Sequence, residues 1–162
     1  MTGDIQLSCL SNEAAVRVLL KRLMPMLDDW GLDVDALATA QIVLAETLNN
    51  IAEHAFPNCD DAVVAIHVRA CPHGLEVATR DCGRPMPGLT LPEGCCPDPT
   101  VPVDELAEGG FGWFLIRAQT EGLAYARKNG VNHLRYTVPV STDFTPAYGA
   151  NGRNVDSCTH FE

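Results

Sequence analysis

Three groups of residues in this chain have the types and spacing to do chemistry together. The first is Glu46, Asn50 and His54, set four residues apart within 41–56, a stretch with the length and composition of a helix. Each step of four residues advances about 6 Å along a helix axis and turns a side chain by about 40°, so the three would share one face. Ile42, Leu48, Ile51 and Ala55 then read as the buried side. A hard cation such as Mg²⁺ takes oxygen ligands and is usually shared with phosphates, so one amide oxygen from Asn50 suits it. Glu46, one turn earlier, can accept a proton from an attacking hydroxyl or water. His54 can donate to phosphate or satisfy a structural polar contact. An ordinary solvated stripe is the alternative for all three.

The second group is Asp81-Cys82-Gly83 at the end of an expected strand. A buried carboxylate there can accept a hydrogen bond from an exocyclic amine such as that of adenine, and Gly83 would let the chain pass close to a ring. Asp-x-Gly is also common in plain turns. The third group is Gly109-Gly110-Phe111-Gly112 ahead of an apolar helix. Backbone N–H groups at a helix start attract phosphate, and glycines allow a close approach. A simple glycine hinge is the alternative. This is not a Walker loop, since Gly-Lys-Ser/Thr is missing, and no strand leads into it as a dinucleotide fingerprint requires.

The elements that must position these groups are readable from hydrophobic periodicity. Asp4–Leu10 alternates, with Ile5, Leu7 and Cys9 on one side, as in a short strand. Ser11 or Asn12 can cap a helix from Glu13 to Asp28, in which Pro25 should force a kink or an early end. Asp33 or Asp35 can cap the second helix, which should run to Phe56 and stop before Pro57. Strands are expected over 62–69 and 75–80, joined by the turn Pro72-His73-Gly74. Between Pro85 and Pro102 lie six prolines and little periodicity, which in a compact domain marks a lid, a binding loop or a disordered segment. A helix over 113–120 follows, then strands over 123–128 and 131–140 around Asn129-Gly130, the strongest hairpin signal in the chain. The tail 141–162 has no apolar pattern. The order β-α-α-β-β-loop-α-β-β, with two hairpins, predicts an α+β sandwich and excludes a doubly wound sheet.

Composition bounds the function. The 162 residues suit one domain with a real core, and 46% apolar content describes a globular protein. No run approaches the ~20 apolar residues of a membrane span, and no signal-peptide pattern opens the chain, so the cytoplasm is the expected location and no membrane partner is expected. A net charge of −10 argues against direct nucleic-acid binding. The seven cysteines contain no Cys-x-x-Cys pair and read as reduced structural thiols, with a redox role for Cys95-Cys96 as the alternative.

In their order and spacing the three groups resemble the motifs of the GHKL ATPase/kinase superfamily, which includes sensor histidine kinases and gyrase. Glu46-x-x-x-Asn50-x-x-x-His54-Ala55 resembles the N-box, Asp81-x-Gly83 the G1 box, and Gly109-Gly110-Phe111-Gly112 with the four residues after it the G2 box. The short N-box and Pro85 resemble bacterial anti-sigma-factor serine/threonine kinases most, over residues 5–140. The resemblance implies a Bergerat-type two-layer fold: a mixed, mostly antiparallel sheet covered by three helices on one face. It implies an ATP-binding kinase domain over 1–140 with a lid over 83–108, and leaves 141–162 as a flexible tail. Glu46 would be the catalytic base and Asn50 the Mg²⁺ ligand. Asn50, His54, Asp81, Gly83, Gly109, Gly110, Phe111 and Gly112 would form the ATP site, with Asp81 on the adenine amine. The implied partners are a STAS-type anti-anti-sigma protein, phosphorylated on Ser or Thr, and a sigma factor held inactive, in a partner-switching circuit of transcription regulation; family analogy suggests a homodimer. Two features depart from the pattern: Pro85 replaces the second glycine of Asp-x-Gly-x-Gly, and 85–116 holds five acids without a Lys or Arg, which adds repulsion near a triphosphate. A non-catalytic anti-sigma module and a detached histidine-kinase ATPase domain are the competing readings.

Overall fold

Alternating apolar residues make Asp4–Leu10 the first strand, β1, with Ile5 buried. The computed structural model describes residues 3–59, 61–94 and 111–140. Asn12 caps α1 (Glu13–Asp28), its side chain accepting from the Ala15 N–H at 2.9 Å. Val16, Leu19, Leu23 and Leu27 recur at helical spacing and are buried. The early stop expected at Pro25 does not occur: the helix continues through it to Asp28. Proline removes one hydrogen bond there, while Leu23 and Leu27 on either side are fully buried and the Asp29 N–H reaches the Pro25 carbonyl at 3.0 Å. Packing outweighs the local preference.

Asp33 caps α2 (Val34–Asn50), accepting from the Ala36 N–H at 2.7 Å. Its core row is Ala36, Ala40, Val43, Leu44, Thr47 and Leu48. Ile42, expected on the buried side, falls off this row and is 47% exposed. The α-helix does not continue to Phe56. It opens after Asn50 into a π-helical turn, Ile51–Ala55, whose wider pitch breaks the four-residue stacking.

The strands β2 (Val63–Cys71) and β3 (Gly74–Asp81) form a hairpin. After α3 (Phe111–Gln119) come β4 (Glu121–Lys128) and β5 (Val131–Pro139). They turn on Asn129 and Gly130, both at positive φ (51° and 81°), as the Asn-Gly signal requires. The sheet order is β1-β2-β3-β5-β4, and every pairing among the described residues is antiparallel. The expected parallel component is absent from these pairings for a topological reason. β4 runs parallel to β3, but β5 folds back between them.

Ile66, Val68, Leu75, Val77, Leu134, Tyr136 and Val138 form the sheet's half of the core, against the apolar rows of the helices. The Tyr136 hydroxyl and Thr47 Oγ1 share a buried hydrogen bond of 3.0 Å that ties β5 to α2. Burial pushes the Tyr136 phenol pKa up, against the lowering effect of that bond, so it stays protonated. No helix among the described residues is long and apolar enough to cross a membrane.

Replacing the helix-interior proline restores an N–H donor without disturbing the buried leucines. Pro25→Ala should therefore stabilise the protein by about 1–3 kcal/mol. In urea unfolding this appears as a higher midpoint at unchanged slope; an unchanged or lower midpoint contradicts the assignment.

Candidate functional site

The core row of α2 leaves Glu46 and Asn50 half-buried along its edge. α3 packs against α2 and is anchored by buried Trp113 and Ile116. Gly112, in the first turn of α3, lies so close to α2 that a Cβ there would stand 2.3 Å from Glu46 Oε2 and 3.4 Å from Asn50 Nδ2. A side chain at 112 would push the Glu46 carboxylate out of this place. Glu46, Asn50 and Gly112, far apart in sequence, thus form one cluster at a helix start. The Asn50 Nδ2 is buried with no partner, as is Asn49 Oδ1 beside it. Buried amide groups are ordinarily satisfied, so these orphans mark a place for a polar ligand.

His54 is not part of this cluster. The π-helical turn that begins at Ile51 takes it off the Glu46–Asn50 line, its side chain is 71% exposed, and its nearest charged neighbour is Glu53 at 4.0 Å. Phe111 is half-exposed and stacks on Phe114 with ring centroids 5.9 Å apart. Gly109 and Gly110 lie outside the described residues, as do Cys95, Cys96, most of the 83–108 segment and the tail 141–162.

Asp81 is buried at the end of β3, directly opposite Asn132 on β5. Its Oδ1 accepts from the Gly83 N–H and from Asn132 Nδ2, both at 2.8 Å. Its Oδ2 receives no hydrogen bond from the described residues and is the oxygen available to an incoming donor. Asn132 is the hub of the surrounding network. Its Oδ1 accepts from Arg127 Nη1 (2.6 Å) and from the Tyr125 hydroxyl (2.7 Å), and its Nδ2 also donates to the Arg84 carbonyl (2.9 Å). The Tyr125 hydroxyl accepts from the Met86 N–H at 3.1 Å, and Arg127 also donates to the Gly83 carbonyl at 2.8 Å. Four side chains therefore fix the backbone from Gly83 to Met86. Gly83 wedges against the end of the π-helical turn, where a Cβ would meet the Ala55 carbonyl oxygen at 2.6 Å, and the Arg84 N–H donates to that carbonyl at 2.8 Å. The Asp81 and Asn50 ends of the site are joined through this contact.

Asn132 and Thr79 are absent from the sequence-based set. Thr79 lies two residues before Asp81 on the same buried face of β3, with its hydroxyl buried and without a partner. The available signal was a polar residue in a core register: Asn132 alternates with Leu134, Tyr136 and Val138, and Thr79 with Leu75, Val77 and Asp81.

The start of the proline-rich segment is tied to α3. Arg117 Nε donates to the Pro92 carbonyl at 2.7 Å and Nη2 to the Leu91 carbonyl at 3.2 Å, so this guanidinium is committed to the loop. Cys9, Cys59, Cys71 and Cys82 are free thiols. Burial raises the Cys9 pKa, away from the reactive thiolate. Among the described residues no three His, Cys, Asp or Glu side chains cluster as an all-protein metal cage. The unpartnered Asn50 atom is Nδ2, a donor that suits a phosphate oxygen, and Oδ1 of the same amide is the atom that would hold a cation drawing its other ligands from phosphate and water.

The chain belongs to the histidine kinase-like ATPase domain family, whose profile matches residues 9–138. It is 24% identical over 102 residues to the serine-protein kinase RsbW of Oceanobacillus iheyensis, covering 62% of this chain and 65% of that protein. It is 25% identical over 136 residues to the serine/threonine-protein kinase BtrW of Bordetella bronchiseptica, covering 84% of this chain and 92% of that one. The chain thus spans just under two thirds of the first relative's length and nearly all of the second's. Among solved structures, that of the RsbU and RsbW domains of Rv1364c from Mycobacterium tuberculosis superposes with a TM-score of 0.57 at 13% identity. It covers 85% of this chain and 32% of that one, a likeness of fold.

Removing the hub should loosen the Gly83–Met86 backbone and strip Asp81 of a partner. Asn132→Ala is expected to cost about 1–3 kcal/mol of stability. Asn132→Asp should cost more, because it opposes a second carboxylate to Asp81. Equal urea midpoints for wild type and both variants would show that the network is incidental.

Proposed function

We infer that this protein binds Mg²⁺–ATP and transfers its γ-phosphoryl group to a Ser or Thr hydroxyl of a STAS-type anti-anti-sigma protein. In this reading it otherwise holds a sigma factor inactive, as a cytoplasmic partner-switching kinase. The observation that carries the reading is the apposition of Glu46 and Asn50 against Gly112 at the start of α3. A carboxylate, an amide and the N–H groups of a helix start brought together there support the reading, since phosphoryl transfer is catalysed mainly by positioning and electrostatics. The names of the relatives, serine- and serine/threonine-protein kinases, support the same class.

The adenine would lie near Gly83, its exocyclic amine donating to Asp81 Oδ2 while Asn132 and the Gly83 N–H hold Oδ1. Thr79, with its unpartnered hydroxyl, is a second group for the base edge. Phosphates would meet the α3 start at Gly112, next to Gly109 and Gly110 in sequence. Mg²⁺, held by Asn50 and the phosphates, would neutralise charge developing on them. Glu46 would take the proton of the attacking hydroxyl as its oxygen bonds to the γ-phosphorus. The bond from that phosphorus to the β–γ bridging oxygen breaks, and ADP leaves. His54 receives no role in this scheme.

A second reading, an anti-sigma module that binds without transfer, draws support from charge. Residues 85–116 carry five acids and no Lys or Arg, and Arg117 is committed to loop carbonyls.

The two are separated with [γ-³²P]ATP, Mg²⁺ and a STAS-domain protein that co-purifies with this chain. The kinase reading predicts acid-stable label on the partner, reduced about 10²–10⁴-fold in Glu46→Gln with ATP binding retained. A stable complex that yields no label would leave sequestration alone.

A further inference from the structure

The face of the sheet turned away from the helices carries a charge pattern opposite to that of the whole chain. A groove of about 860 Å³ runs over it, lined on the sheet by Arg80, Lys128 and Arg135 and reached past β1 by Arg22 of α1, with no Asp or Glu among the described lining residues. The chain as a whole has 11 Lys and Arg against 21 Asp and Glu, so four of its 11 permanent cations gather at this one surface. None of the four is in an ion pair among the described residues. On the β1 side of the groove the lining His67 is paired with Asp4, and beyond it Arg69 is paired with Glu76.

The strand register makes this surface regular. One rung across the sheet reads Ser8, Ala65, Arg80, His133, Ala126, and the next reads Gln6, His67, Ala78, Arg135, Ala124. Arg80 and Arg135 are thus diagonal neighbours on adjacent strands, and Arg80 directly faces His133. Both arginine side chains are exposed, so water and salt screen their repulsion and leave the pair open to an anionic partner. The His133 pKa is lowered, by partial burial first and then by Arg80 and Lys128, with Asp81 opposing. The small residues Ala65, Ala78, Ala124 and Ala126 keep the floor low between these basic walls.

We propose that this outer sheet face is a docking site for an acidic amphipathic helix of a protein partner. Charge complementarity selects the sign of the occupant, and the shape of the surface selects its form. The face offers side chains and no free backbone groups, so a strand laid across it would leave its own N–H and C=O groups unpaired. A helix satisfies them internally. A cylinder about 10 Å wide rising 5.4 Å per turn fills this groove in roughly two turns, and a low alanine floor admits it. Acidic residues at i, i+3 or i+4, and i+7 would lie along one stripe facing the arginines. Single-stranded nucleic acid suits the surface less well, because among the described residues no Trp, Tyr or Phe ring faces outward for stacking; Tyr125, at the border, turns its hydroxyl to Asn132 on the helix-covered side.

The test uses the full chain and a fluorescein-labelled, alanine-based helical peptide with Glu at i, i+4 and i+7, followed by anisotropy and by amide chemical shifts. Saturable binding is expected, weakening as salt rises, with shifts confined to Ala65, Ala78, Ala126 and their neighbours. Arg80→Gln/Arg135→Gln should reduce affinity at least tenfold, and Arg80→Glu/Arg135→Glu should instead bind the peptide with Lys in place of Glu. These side chains are exposed, so circular dichroism and urea midpoints near those of wild type are expected for the variants. Equal binding of a Gln-substituted peptide, shifts on the α2–α3 side, or tighter binding of a 15-residue oligo-dT would overturn the proposal. So would a wild-type dimer that Arg80→Gln/Arg135→Gln dissolves, since that would assign the face to a second copy of the chain.

Discussion

A carboxylate buried at the end of a central strand must be satisfied, and the way Asp81 is satisfied organises one whole end of the molecule. Buried charges survive only when hydrogen bonds replace the lost water. Here both of those bonds go to one oxygen, from the Gly83 N–H and from Asn132. Asn132 can reach Asp81 only because β5 returns between β3 and β4 in a register that sets the two residues opposite each other. A slip of one residue would turn Asn132 to the outer face and leave Asp81 short of a donor. The Asn129-Gly130 turn that fixes this register therefore acts on the site from a distance.

The same network joins the two halves of the site. Gly83, held by Asp81 and Arg127, packs on Ala55, and Arg84 bonds to the Ala55 carbonyl. Ala55 ends the turn that continues α2 beyond Asn50, so the strand end and the helix edge are set relative to each other by backbone contact. Gly112 sets the third wall by bringing α3 against Glu46 and Asn50. The two faces of the sheet differ accordingly: one holds the helices and the converging polar groups, the other carries Arg80, Arg135 and Lys128 around a floor of alanines.

Much of this was legible in the sequence, and the exceptions have physical causes. β1, the caps Asn12 and Asp33, and the Asn129-Gly130 hairpin are local features, decided by residues within a few positions of one another, and the structure matches them. The α+β sandwich followed from their order. Pro25 misleads because a single lost hydrogen bond counts for less than Leu23 and Leu27 in the core. His54 misleads because four-residue spacing assumes an α-helix, and the helix widens at Ile51. Glu46 and Asn50 are readable as a pair from spacing alone, whereas their contact with Gly112 depends on how α3 packs. Asn132 lies 51 residues from Asp81, and only the sheet register joins them. Its trace in the sequence is an amide where the alternation calls for an apolar side chain.

The central claim is that Asp81, with one oxygen held by the protein and the other left for a ligand, reads the amino group of adenine. The most direct test compares the affinity of ATP with that of ITP, which carries a carbonyl in place of that amine. The account predicts that ATP binds about tenfold tighter or more, because ITP would leave a buried carboxylate oxygen unpaired against another acceptor. Asp81→Asn should abolish the preference. Equal binding of the two nucleotides by the wild-type protein would contradict the account.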